Sequence, residues 1–290
     1  MDLVEGYLHR LGLPHPGAPS VDALHTLHAA HVERIAYEVI DIHLDRPTSI
    51  DRHASADRFV RRHRGGYCYH LNGGFSLLLE NLGYAVRWHR AAVQTAAYSE
   101  PPGPDLANHL ALTVSGLPSD ECPDGVWLVD AGLGDALHHP VPLRAGTYRQ
   151  GPFSYRLRPS EVEAGGWRLD HDPRGSFVGM DMRMSATATV ADFAARHHHM
   201  STSPESSFVR TFCVQRRDAG GVDMLTGCVY KRHAPDPVES RTLDDPVDWF
   251  AVLADVFHLP LTDLSATDRT RLWSGVLAKH QEWLAVRSST

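Results

Sequence analysis

The chain shows two different hydrophobic periods. Over its first 85 residues, apolar side chains recur every three or four positions, which predicts amphipathic helices. The clearest of these helices begins near Cys68, after two glycines, and ends near Gly83, where glycine suits a C-terminal cap. Its apolar face consists of Leu71, Phe75, Leu78, Leu79 and Leu82. We therefore predict an N-terminal helical bundle over residues 1–85.

After residue 85 the pattern changes to the two-residue alternation that is typical of β-strands. Runs of this kind occupy residues 85–93, 109–114, 127–130, 155–157 and 166–169. Turn residues separate the runs, which favours antiparallel neighbours. We predict an antiparallel sheet or small barrel over residues 86–200.

The last part of the chain mixes both patterns. Strand-like runs at 209–214 and 228–231 precede helical patterns over 249–257 and 268–286. We predict an α/β segment over residues 201–290. The three segments together predict a protein of the α+β class.

Composition and charge narrow the class of protein. Of the 290 residues, 42% are hydrophobic and 22% are charged, which is ordinary for a soluble globular protein. The net charge of −7 argues against nucleic acid or an anionic membrane as the main partner. No apolar run reaches the ~20 residues that span a bilayer, and residues 1–6 lack the pattern of a signal peptide. We expect a cytoplasmic protein.

Cysteine and histidine spacing gives little support for a metal site. The three consecutive histidines at 197–199 point in different directions on any regular element, and no further ligand completes a site, so we predict a solvated loop there. We predict no bound metal. The four cysteines form no C-x-x-C pair and are expected to be reduced thiols. They are Cys68, Cys122, Cys213 and Cys228.

Cys68 occupies a position that suits a nucleophile. Free N–H groups and the positive end of the dipole at the start of a helix favour a thiolate. Gly65 and Gly66 allow a tight turn and leave the sulfur uncrowded. A cysteine nucleophile points to covalent catalysis. A buried structural cysteine is the alternative that spacing alone leaves open.

A base and an orienting group for such a thiol stand at two strand ends. His109 opens one predicted strand and Asp130 closes the next. If these strands pair antiparallel, the start of one lies beside the end of the other, and Cys68 can face both residues. Taken singly, a strand-end histidine and an aspartate before glycine are more often structural. Their joint presence is what indicates a triad.

Segments along the chain match the motifs of one known family in the same order. They are 7–12, 35–44, 64–68 with Asn72, 109–112, 128–134, 140–143 and 201–216. Residues 64–68 match the signature R-G-G-x-C, and residues 128–134 are similar to the sequence L-V-D-V-G-F-G. On these motifs the chain resembles the arylamine N-acetyltransferases over nearly its whole length.

The resemblance implies a helical bundle, a β-barrel and a C-terminal α/β lid. It also implies a catalytic triad of Cys68, His109 and Asp130 and a ping-pong reaction. In that reaction the cysteine takes an acyl group from acetyl-coenzyme A, or from another acyl thioester, and passes it to a small-molecule amine. The acyl donor is a co-substrate, and no cofactor is permanently bound.

Further roles follow from the same resemblance. Cofactor contacts are implied at Gly132, Gly134 and Phe208. The acceptor pocket is implied at Tyr37, Tyr67 and Leu133. Arg64 and Asn72 are implied to support the site.

The chain departs from the family pattern close to the cysteine. His70 replaces a glutamate that commonly pairs with the signature arginine, so Arg64 needs another carboxylate or water. Leu133 replaces a phenylalanine beside the acceptor pocket, which removes an aromatic wall for a flat arylamine. Ala36 and Val39 replace a proline and an asparagine. These changes suggest a different acceptor or acyl donor.

Three functions are therefore compared. The first is N-acetylation of an arylamine or related amine. The second is amide synthesis in natural-product assembly, in which an acyl carrier protein or a longer acyl thioester delivers the acyl group. The third is an idle binding protein that keeps the family fold, which the retained triad residues argue against.

Overall fold

The computed structural model describes residues 2–233 and 238–288. Its N-terminal part is helical, as the apolar spacing predicts. The helices are α1 (Leu3–Leu11), α2 (Val21–Arg34), α3 (Ile40–His43), α4 (Arg52–Arg61) and α5 (Cys68–Asn81). Helix α5 begins and ends where predicted, and Gly83 beyond its end has a φ of +90°, a left-handed conformation that glycine adopts without strain. Residues Cys68 to Leu79 are all buried, so α5 forms the centre of the bundle.

An antiparallel sheet of eight strands follows. Its strands are β2 (Ala85–Gln94), β3 (His109–Ser115), β4 (Trp127–Val129), β5 (Val141–Pro142), β6 (Gly146–Gln150), β7 (Phe153–Pro159), β8 (Trp167–Asp170) and β9 (Gly179–Met182). The order across the sheet is β5-β4-β3-β2-β9-β8-β7-β6. Strands β3 and β4 pair antiparallel with Leu112 opposite Val129, so the start of β3 lies beside the end of β4. The predicted strand pairing is confirmed.

The C-terminal part combines helices with a second sheet. The helices are α6 (Val190–Thr202), α7 (Ser207–Arg210), α8 (Pro246–Asp255) and α9 (Ala266–Ser288). The strands are β10 (Cys213–Asp218), β11 (Gly221–Thr226), β12 (Val229–His233) and β13 (Glu239–Thr242). This sheet has five strands, because the short β1 (Tyr37–Glu38) from the N-terminal part pairs with β10.

Two local predictions are wrong. Residues 209 and 210 lie in helix α7 and not in a strand, because the Ser206 side chain caps the preceding turn by accepting a hydrogen bond from the Phe208 N–H. The histidines at 197–199 lie in α6 and not in a loop. This helix has a capping box formed by Thr189 and Asp192. The motif was missed in the sequence because polar residues alternate with others around it.

The fold class agrees with the prediction of helices, an antiparallel β-barrel and a C-terminal α/β region. The domain ranges 1–85, 86–200 and 201–290 stay a prediction. Helix α6 crosses the boundary between the second and third ranges, and β1, from the first range, pairs with a strand of the third. Within residues 2–233 and 238–288, no helix combines the length and the apolar character that crossing a membrane requires.

Candidate active site

Cys68 is the first residue of helix α5. Tyr67 before it is extended, with φ −103° and ψ −174°, and its side chain makes no capping hydrogen bond to the helix. The thiol is 2% exposed, and its Sγ lies 3.6 Å from the carbonyl oxygen of Asn108. The sequence therefore places the sulfur at the positive end of a buried helix, close to the start of β3.

His109 and Asp130 form a hydrogen-bonded pair beside this thiol. The Nε2 atom of His109 lies 2.8 Å from Oδ2 of Asp130, and both side chains are buried. Because Asp130 occupies Nε2, Nδ1 is the nitrogen left to exchange a proton with sulfur. Burial disfavours the imidazolium, but the Asp130 carboxylate and the Cys68 thiol outweigh burial and raise the pKa of His109 from 6.5 to about 10.

Asn72 fixes the other carboxylate oxygen of Asp130. Its Nδ2 atom donates to Oδ1 of Asp130 over 2.7 Å and to the Leu110 carbonyl over 2.6 Å. Its Oδ1 atom accepts from the Ala131 N–H at 2.9 Å. The Gly132 N–H donates to the same Asp130 oxygen at 3.0 Å. One asparagine on α5 thus joins the nucleophile's helix to the strand ends that carry the histidine and the aspartate.

The glycines before Cys68 are required by close packing. A Cβ atom on Gly65 would lie 1.8 Å from the carbonyl oxygen of Ala36, and one on Gly66 would lie 2.7 Å from Cβ of His70. Gly132 is similarly confined, since its Cβ would lie 2.9 Å from Cα of Cys68. The sequence indicated a tight turn here, but the neighbour that forbids a side chain is known only from the structure.

Arg64 finds its counter-charges far along the chain. Its guanidinium is fully buried and lies 3.0 Å from Asp263, 3.3 Å from Glu38 and 3.4 Å from Asp41. Arg58 also bonds to Glu38 and Asp41. Despite burial, these two arginines hold the pKa of Asp41 below its usual value. The sequence predicts that Arg64 needs another carboxylate or water, and the structure supplies carboxylates.

His70 does not take the place of that glutamate. It is 2% exposed, and its Nε2 lies 3.2 Å from the hydroxyl of Thr48. Burial, together with the nearby charge of Arg58, holds the pKa of His70 well below 6.5, so the ring is neutral at physiological pH. His197 from α6 joins the same cluster, hydrogen-bonded to the Tyr67 hydroxyl and, at 2.9 Å, to the Thr48 carbonyl. No sequence signal distinguished His197 from its two neighbours.

Most of the remaining predicted site residues belong to an aromatic group around Phe208 or to a crevice beside Asp130. Phe208 packs on the rings of Tyr37 and Tyr67, with centroids 6.2 and 5.3 Å apart. Leu133 is buried and, like Tyr37, lines a narrow crevice beside Asp130. Gly134 in the same crevice has a φ of +73°, and a Cβ there would lie 2.0 Å from Oε1 of Gln215.

A larger cleft is lined by the last residue of α7 and the residues that follow it. Its volume is about 830 Å³, and Arg210, Thr211 and Phe212 line it directly after the segment that carries Phe208. Strands β11 to β13, helix α9 and residues 174–176 form the rest of the wall. Its further basic side chains are Arg174, Lys231, His233, Lys279 and His280. Sequence reasoning missed these residues because they come from separate segments and share no motif.

A cysteine at a helix start, with a histidine and an aspartate from paired strands, defines a site for acyl-thioester chemistry of the kind that transferases and thiol hydrolases perform. Comparisons with known proteins distinguish between these classes. The sequence matches the family described as N-acetyltransferase over residues 20–266. It is 30% identical over 272 residues to the arylamine N-acetyltransferase of Mycolicibacterium smegmatis, covering 92% of this chain and 95% of that one.

Solved structures agree with the sequence comparison. The arylamine N-acetyltransferase of Mycobacterium marinum superposes with a TM-score of 0.82 at 29% identity, covering 95% of this chain and 98% of that one. Its complex with CoA superposes with a TM-score of 0.81 at 27% identity and the same coverage. The chain belongs to the arylamine N-acetyltransferase family.

Proposed function

We propose that the protein transfers an acetyl group from acetyl-coenzyme A to an arylamine through a thioester on Cys68. The observation that carries this proposal is the arrangement of Cys68 beside the hydrogen-bonded pair His109 and Asp130. The names of the relatives support the reaction, and the CoA complex of the Mycobacterium marinum enzyme supports the donor.

In the first half-reaction Cys68 becomes acetylated. The thiol proton passes to Nδ1 of His109, and the thiolate attacks the acetyl carbonyl carbon. When the tetrahedral intermediate collapses, the carbon–sulfur bond to coenzyme A breaks, and the departing sulfur takes the proton from the imidazolium. First-turn N–H groups of α5 are placed to stabilise the developing oxyanion.

The second half-reaction reverses these roles. The amine nitrogen attacks the thioester carbon, and His109 removes a proton from that nitrogen. The bond to Cys68 then breaks, the departing sulfur takes the proton from the imidazolium, and the amide leaves. Asp130 keeps the imidazole in the tautomer that presents Nδ1, and its charge favours the imidazolium in both halves.

The acyl donor needs a long site that leads to the thiol. The 830 Å³ cleft fits this need, because its basic side chains suit the phosphates of coenzyme A and its apolar wall suits the adenine ring. Phe208 contacts the ring of Tyr67, the neighbour of Cys68, and precedes Arg210 of the cleft lining by two residues. We propose that the pantetheine chain passes Phe208 and the Gly132–Gly134 turn, while Tyr37, Tyr67 and Leu133 border the acceptor.

Intact-mass spectrometry tests the proposed intermediate. After brief incubation with acetyl-coenzyme A, we expect one added acetyl group on the full-length protein and none on Cys68→Ala. Addition of aniline or an arylhydrazine should remove the group as the free amide. Labelling of Cys122, Cys213 or Cys228 in place of Cys68 would refute the mechanism.

The same measurement separates the alternative functions. Acylation by a long-chain or carrier-bound thioester, without acylation by acetyl-coenzyme A, would favour the amide synthase. No acylation by any donor, with a folded protein, would favour the idle binding protein.

Arg210 tests the donor cleft. It is exposed at the end of α7 and lines the cleft, so Arg210→Gln should raise the KM for acetyl-coenzyme A about tenfold and leave kcat nearly unchanged. The matched control is Arg156→Gln on β7, which is exposed and lies outside the cleft lining. Equal KM values for the two variants would exclude the cleft as the donor site.

A further inference from the structure

A second basic pocket lies away from the donor cleft and shares no lining residue with it. Its volume is about 460 Å³. It forms where the C-terminal ends of α1 and α2 meet strand β10 and the residues after α8. We call it the arginine pocket; its charged lining consists of Arg10, Glu33, Arg34, His63, Arg216 and His258.

Two of its arginines have no carboxylate partner within the described part of the chain. Arg10 donates through Nη2 to the Arg34 carbonyl over 2.6 Å, and its Nε is buried with no hydrogen-bond partner. The Arg34 guanidinium folds back over Gly12, where a Cβ would lie 2.8 Å from Nη1. Neither guanidinium lies within 4.0 Å of a carboxylate oxygen of residues 2–233 or 238–288.

The pocket lining carries three arginines and one carboxylate. That carboxylate is Glu33, whose Oε1 is bonded at 2.7 Å to Nε2 of His138. Burial lowers the pKa of His138, so Glu33 keeps its negative charge, but Glu33 forms no ion pair with Arg10 or Arg34. Arg216 forms an ion pair with Asp223 at 2.7 Å. The lining is therefore basic on a chain whose net charge is −7.

The negative ends of two helices explain part of the placement of Arg10 and Arg34 in the pocket, but not all of it. Arg10 and Arg34 stand in the last turns of α1 and α2, where cations are favoured. Each helix end supplies only about half a negative charge, so the two ends offset about one of the two positive charges. The charges of the arginines also act on two histidines of the lining. Besides burial, Arg216, Arg10 and Arg34 lower the pKa of His258, and Arg10 and His9 lower that of His63.

We propose that the arginine pocket binds a small phosphorylated anion. A phosphate dianion matches two guanidinium forks, because each fork can present parallel N–H donors to two phosphate oxygens. The volume accommodates a small organic phosphate or a diphosphate. An occupant would also bond to His63 and His258 in their protonated forms.

The arginine pocket lies next to the narrow crevice beside Asp130 and is not part of that crevice. Gln215 and Ile35 line the crevice, and the residues that follow or precede them, Arg216 and Arg34, line the pocket. The proposal is independent of the acetyl-transfer reaction, so either can fail alone.

Titration with inorganic pyrophosphate tests the site on the full chain. Calorimetry should show one binding event that Arg34→Gln weakens at least about tenfold, while the matched control Arg156→Gln binds as the wild type does. Proton NMR should show higher pKa values for His63 and His258 in the bound state. The same titrations are repeated with inorganic phosphate and with chloride at equal ionic strength. Melting curves without ligand check that Arg34→Gln is folded.

Three results would overturn the proposal. One is equal binding by the folded Arg34→Gln variant and the wild type. Another is histidine shifts that chloride reproduces at the same ionic strength, which would indicate screening only. The third is a rise in the KM for acetyl-coenzyme A in Arg34→Gln as large as in Arg210→Gln, which would assign the phosphate to the co-substrate.

Discussion

Asp130→Asn is expected to lower the rate of Cys68 acetylation about a thousandfold or more, by analogy with the loss seen when the aspartate of a serine-protease triad is neutralised. The amide can present its N–H group to Nε2 of His109, which would leave Nδ1 protonated and unable to accept the thiol proton. The charge that opposes burial is lost at the same time. The pKa of His109 should fall from about 10 to below 6.5.

Stopped-flow kinetics measure the rate of Cys68 acetylation, and NMR measures the pKa of His109. The matched control is Asp124→Asn, the same chemical change at an exposed residue of the loop before β4, which should leave both unchanged. A rate for Asp130→Asn within tenfold of the wild type would show that the carboxylate is not needed, provided that the melting temperature shows a folded variant.

The raised pKa of His109 also gives stability a definite pH dependence. A group whose pKa is higher in the folded state stabilises the fold fully below its unfolded value, here 6.5, and loses that contribution as the pH rises through its folded value, about 10. The unfolded state is common to both proteins, so the difference in unfolding free energy between wild type and Asp130→Asn should shrink from the variant's own His109 pKa, below 6.5, up to about pH 10. Urea unfolding at several pH values measures it.

Arg64→Met is expected to destabilise the protein by about 3–5 kcal/mol, the usual cost of removing one partner from a buried ionic cluster. Glu38 and Asp41 would keep Arg58, but Asp263 would lose its ion pair with the bundle. Activity should fall with the folded fraction, since Arg64 lies four residues before Cys68. Urea unfolding followed by circular dichroism measures the loss.

Arg61→Met provides the matched control. Arg61 pairs with Asp57 within α4, and its side chain is 76% exposed, so the change should cost less than about 1 kcal/mol. Arg64→Lys should fall between the two, because an ammonium keeps the charge but not the planar fork. If Arg64→Met proved as stable as Arg61→Met, the cluster would contribute nothing to the fold.

The structure shows what surrounds two of the residues that depart from the family pattern, His70 and Leu133. His70 is neutral and belongs to a polar cluster with Tyr67, Thr48 and His197. This cluster borders the nucleophile on the side of α6. Leu133 presents an aliphatic side chain to the crevice beside Asp130. Under the proposed function both features alter the border of the acceptor site, so amines of different shape are the informative substrates to compare.

Local patterns in the sequence determined the parts of the site that lie on regular elements. Helical spacing located α5 and placed Cys68 at its start. Alternation located β3 and β4, and antiparallel pairing then brought His109 and Asp130 together. These inferences succeeded because each depends on a repeat within one element or on the pairing of consecutive strands.

Only the tertiary structure decided which distant groups meet. Asp263 lies 199 positions from Arg64 in the sequence, and no local pattern announces their ion pair. Two other contacts also join residues that are distant in the sequence. They are the hydrogen bond between His197 and Tyr67 and the pairing of β1 with β10. The placement of Arg10 and Arg34 in one pocket appears only when two helix ends converge. Periodicity fixes which face of an element is buried, whereas the partner of a buried charge is set by how the elements pack.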